Sequence, residues 1–97
     1  MKRFVLLVDD ATQEQQNAVT SHFRNKPQGF WHIFSDAWLL MDPTEALTVY
    51  SLRDQLKSLV PGATTLVLPI DNAVNWAGFG KTESFKWLND TWPKGAP

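Results

Sequence analysis

The sequence contains no cysteine, which excludes disulfides, thiolate metal sites and a cysteine nucleophile. It has no excess of either charge: nine lysines and arginines stand against ten aspartates and glutamates, for a formal net charge of −1. Contact with phosphate backbones would therefore need a local patch or a metal ion, because no global positive field draws the chain onto them. Long apolar runs are missing too. Phe4 to Val8 follows a basic start but stops at Asp9-Asp10, too short for a signal-peptide core or a membrane span. A soluble, cytoplasmic protein with no membrane partner is the expectation. The phosphate-loop spacing G-x-x-x-x-G-K-[ST] is absent, although Gly80-Lys81-Thr82 copies its last three residues. No nucleophile elbow or other hydrolase signature occurs, and there is no internal repeat, linker or low-complexity segment.

Hydrophobic residues make up 43% of the 97 positions, and five of them are tryptophans. That composition predicts a folded chain, and the length allows one core rather than two. We expect a single domain over residues 1–92 and a loose tail over 93–97. Phe4 to Val8 is a continuous aliphatic and aromatic run, which suits a central strand covered on both faces. Thr12-x-x-Gln15 is a capping box that opens a helix. Ala18, Val19, His22 and Phe23 form its inward face, and Pro27 prevents continuation.

Phe30 to Phe34 and Ala37 to Met41 read as a hairpin about Ser35-Asp36. Leu52, Leu56 and Leu59 recur at helical spacing up to Pro61-Gly62. For the start of this second helix, Thr48 competes with Asp42-Pro43-Thr44-Glu45, and the later start is the expectation. Thr64 to Ile70 is the last strand, and Pro69 within it predicts a sheet edge, since proline cannot donate to a ladder. The order β-α-β-β-α-β is the ferredoxin-like arrangement, an α+β fold with a four-stranded antiparallel sheet. A short C-terminal helical segment follows, with Thr82 as a candidate cap, Phe85, Leu88 and Trp92 along one side, and Pro93 at its end.

The stretch NWAGFGKTESFKW, residues 75–87, is the densest in aromatic residues and glycine. Gly78 and Gly80 read as turn-makers at positive φ. Trp76, Phe79, Phe85 and Trp87 read as anchors that fix the chain's end against the sheet or against a partner protomer.

Other candidate site residues are fewer. Asp9 and Asp10, at the C-terminal end of the first strand, could place one or two carboxylates on a Mg²⁺ ion for phosphodiester cleavage, with Asp9 as the metal ligand. The alternative is a pair of solvated acids near a helix N-terminus; successive strand residues point to opposite faces, which separates the two carboxylates. His32 could serve a phosphate as acid or base, or fill part of the open face of the sheet. With Trp31 and Trp38 it forms a candidate ligand-binding set, because exposed aromatics on a sheet stack bases. The basic residues are scattered rather than interleaved with those rings, however, and packing or a dimer seam also accounts for the tryptophans.

VLLVDD, the paired tryptophans of FWHIFSDAWLL, SLRDQLKSLV leading into TTLVLPI, and NWAGFGKTESFKWLND occur in the order seen in the SinR-like family. These short bacterial and phage-borne proteins look like distant relatives of the small, ferredoxin-fold subunit of the CRISPR integration complex. The resemblance spans nearly the whole chain and is most specific at W-A-G-F followed by K-W-L. It implies a ferredoxin-like protomer that pairs into a homodimer with help from the segment after the fourth strand, and a divalent metal at the dimer interface on the position of Asp9. Val8 stands where the family carries a tyrosine, and Asp10 adds a second acid. The leading reading is a non-enzymatic dimeric module that binds a nucleic-acid end or a nucleotide-like ligand in a shared groove. The alternatives are a Mg²⁺-dependent endonuclease using Asp9, and a counter-defence or regulatory protein that captures a signalling nucleotide or a protein partner.

Overall fold

The computed structural model describes residues 1–24, 26, 29–71 and 76–93. Its elements are β1 Lys2–Val8, α1 Gln13–Arg24, β2 Gly29–Trp31, β3 Ala37–Asp42, α2 Val49–Leu59 and β4 Thr65–Pro69. They are followed by a 3₁₀ turn Thr82–Phe85 and α3 Lys86–Asp90. The four strands form one sheet in the order β2-β3-β1-β4, every pair antiparallel. This is the α+β, ferredoxin-like arrangement, with β1 inside and the proline-bearing β4 at an edge. Among the described residues no helix is long and apolar enough to cross a membrane.

Local chemistry explains where the helices begin. Thr12 and Gln15 form the reciprocal cap of α1: Gln15 N donates to Thr12 Oγ1 at 3.1 Å and Thr12 N to Gln15 Oε1 at 2.9 Å. Thr48 caps α2 in the same way with Ser51. The earlier candidate start is a loop instead, and its Asp42 is fully buried. Asp42 accepts from Thr44 N, Thr44 Oγ1 and Leu47 N, so its carboxylate folds the segment that leads into α2. Pro27 and the tail residues 94–97 lie outside the described residues.

One face of the sheet carries the main core. Phe4, Leu6 and Val8 of β1 and Trp38 and Leu40 of β3 pack against Val19 and Phe23 of α1 and against Leu52, Leu56 and Val60. His22 donates to Gln55 Oε1 at 2.7 Å, which ties the two helices together.

The opposite face is covered in part by the chain's own C-terminal segment. Trp31 and Met41 meet Leu88 and Trp92 there, with Leu39, Ile70, Trp76, Phe85 and Trp87 packed around them. β1 is thus apolar on both faces because both faces are partly covered.

Two expectations about these elements need correction. The second strand ends at Trp31 rather than Phe34, because the His32 side chain donates from Nδ1 to the Ala37 carbonyl at 3.0 Å and takes the acceptor at which a longer ladder would continue. Thr82 is the first residue of the 3₁₀ turn and not its cap; Lys81 holds that position without a capping side-chain bond.

Candidate functional site

Strand register decides which aromatic residues meet. Trp31 pairs with Leu39, Leu39 with Val5, and Val5 with Leu68, so these four side chains share the face turned away from α1 and α2. Trp38, one residue before Leu39, points to the other face. It is 1% exposed, stacks on His32 at 4.1 Å with planes 2° apart, and donates from Nε1 to Thr20 Oγ1 at 3.2 Å. The set Trp31, His32 and Trp38 is therefore divided by the sheet. His32 belongs to the helix-covered side, with Nε2 lying 3.3 Å from Gln16 Oε1 of α1, and does not fill an open face.

On the second face Trp31 is held by a bond from its Nε1 to the Ser84 carbonyl at 2.7 Å. This joins the end of β2 to the 3₁₀ turn. Phe85 lies near parallel to both Trp31, at 6.4 Å, and Trp76, at 5.7 Å, with interplanar angles of 23° in each case. Phe34 meets Trp31 edge to face at 5.3 Å. Trp87 packs at 5.5 Å from Trp92 and beneath Gly29, where a β-carbon would lie 3.5 Å from its ring.

Arg3 secures the far end of the segment. Its guanidinium donates from Nε to the Trp92 carbonyl at 2.9 Å and from Nη2 to the Pro93 carbonyl at 3.3 Å, and it lies 5.7 Å from the Trp92 ring centre.

Gly78 serves these rings through close approach and not through positive φ: a β-carbon there would fall 2.7 Å from Phe85 Cε1. Gly80 does take a positive φ, 156°. Between them Phe79 is fully exposed. It is therefore not an anchor among the described residues, unlike Trp76, Phe85 and Trp87, which pack on the second cluster. Asn75, the first residue of this motif, lies outside the described residues.

The result is a cleft of about 410 Å³ whose floor includes Val5 and Leu39 and whose walls include Trp31, Phe34, Trp76 and Phe85. That size falls within the range of small-molecule sites, roughly 300–1,000 Å³. None of the described residues that line it is ionisable. Beside the cleft the same face continues into Leu66 and Leu68 of β4, which remain about half exposed, as do Ile33 and Phe34.

Asp9 and Asp10 are exposed at the end of β1. The Asp9 amide donates to the Thr64 carbonyl at 2.9 Å, and Asp10 has a φ of 50°. Nearby Asp36 accepts from the Ala11 amide at 3.1 Å. Among the described residues no group of three or more histidine, aspartate or glutamate side chains is arranged to hold a metal ion. On α3 the Asp90 carboxylate holds the Lys86 ammonium above the usual lysine range through a hydrogen bond and through its charge.

Contributors to the cleft that the motif reading did not single out include Val5, Phe34, Leu39 and Ile70, together with the tether Arg3. The continuous apolar character of β1 was the available signal, since a strand that is apolar on both faces requires a second cover. Comparisons with protein-family models, with curated proteins and with solved structures gave no match.

Proposed function

We propose that this chain is a non-catalytic binding module whose aromatic cleft receives the flat ring of a nucleotide-like ligand, and that it works as a cytoplasmic homodimer. The observation that carries the reading is the near-parallel series Trp31, Phe85 and Trp76 along a cleft of about 410 Å³. Trp76 and Phe85, only partly buried, keep ring surface on which a planar ligand stacks, a contact worth about 1–3 kcal/mol per base. The SinR-like resemblance supports the homodimer, since it implies that the segment it matches most specifically, W-A-G-F with K-W-L, helps two protomers to pair. For the dimer, the supporting features are the exposed apolar side chains of Leu66 and Leu68 on β4 and of Phe79 in the lining of the cleft, apolar surface of the kind that marks an interaction site on a small protein.

A thermal-shift screen with nucleobases, nucleosides and nucleotides tests the ligand reading. A ligand that binds only the folded state must raise the melting temperature, and Trp76→Ala should abolish the rise. Absence of any shift across the screen would reject the ligand. Light scattering at micromolar concentrations tests the dimer, which a strictly monomeric mass would exclude.

A further inference from the structure

We infer that the cleft reads its ligand through ring faces rather than through charge and leaves any charged group in solvent, so that the ligand class is an uncharged planar aromatic or heteroaromatic ring. This inference rests on the binding reading above and narrows it. Among the described residues the lining of the cleft consists of apolar and aromatic side chains and three small residues, Ala37, Ala77 and Gly78, with no lysine, arginine, histidine or carboxylate. Among the described residues the strand cation on this face of the sheet is already committed. Arg3 pairs with Met41 in register, but both its bonded nitrogens donate to the Trp92 and Pro93 carbonyls, and its plane lies over Trp92. Lys86 is engaged with Asp90 at 2.7 Å.

The Trp31 indole N–H is also spent, on the Ser84 carbonyl, and cannot read the edge of a base. What the walls offer is π surface. Phe85 lies near parallel to both Trp31 and Trp76, and Gly78 lets the backbone approach its ring closely. Stacking on such faces tolerates any flat ring. A phosphate brought into an apolar cleft without a partner would lose its hydration uncompensated, so it stays outside.

The test is a tryptophan-fluorescence titration with adenine, adenosine and adenosine monophosphate, each at about 50 mM and about 500 mM salt, a span over which phosphate contacts weaken steeply. The expected result is three dissociation constants within about threefold of one another and unchanged by salt, all weakened about fivefold or more by Trp76→Ala and largely kept by Trp76→Phe. Lys81→Gln should leave them unchanged. If the monophosphate binds tenfold more tightly than adenosine and loses that advantage in high salt, a phosphate is being read and the inference is wrong while the binding reading stands. If none of the three probes nor indole binds the folded protein, both fail. If probes bind only once Phe79→Ala is introduced, the cleft is occupied by Phe79 of a second copy, and the site is one of self-association.

Discussion

Gly78 shows how a single residue type can be required by a ring rather than by a turn. A methyl group at this position would meet Phe85 at 2.7 Å, and Phe85 is itself packed near parallel to Trp31 and Trp76. Gly78→Ala is expected to cost about 1–3 kcal/mol by overpacking, seen as a lower midpoint in denaturant with an unchanged slope.

Two other aromatic residues of the same region should behave in opposite ways. Phe79 is fully exposed, so Phe79→Ala should change stability by no more than about 0.5 kcal/mol. Trp92 is buried, and Trp92→Ala should cost about 3–5 kcal/mol. Chemical denaturation of both variants checks the contrast. At this scale the sequence was partly legible. Trp76, Phe85 and Trp87 could be read as packing anchors from their density, whereas Phe79 in the same run could not be told apart from them. Composition identifies a ring as apolar but does not say which way a turn carries it. The separation of Trp31 from Trp38 was likewise hidden, since it depends on the pairing of Trp31 with Leu39.

The helix starts follow from side chains adjacent in sequence, and that is why they were readable. Thr12 and Gln15, and Thr48 and Ser51, bond within one turn of the backbone, so no tertiary knowledge is needed to recognise them. Thr48→Ala removes one half of the α2 cap and should lower stability by about 1 kcal/mol, measurable as a shift in the unfolding midpoint. The edge position of β4 was readable for a similar reason, because Pro69 carries its restriction with it. The end of β2 was not. It depends on His32 reaching the Ala37 carbonyl, a contact across a loop whose geometry no periodicity encodes. The C-terminal segment lies between these cases: its helical spacing was visible, but its seat over Trp31, Met41 and Leu39 required the sheet to be assembled first.

For the whole molecule, the ferredoxin-like order could be deduced from the succession of elements, and the sheet bears it out. What the succession could not disclose is that the chain builds two unlike apolar clusters. One is closed between sheet and helices. The other is left partly open between the sheet and the returning C-terminal segment. The central claim is that this second cluster is a receptor for a flat ring.

Methyl-detected NMR tests that claim directly, because an aromatic ring bound in the cleft must impose ring-current shifts on the floor beneath it. Titration with adenosine should move the methyl signals of Val5, Leu39 and Ile70, which line the cleft, and leave those of Leu52 and Leu56 in the helix-side core in place. Unmoved Val5 and Leu39 methyls at saturating adenosine, or shifts confined to the helix side, would contradict it.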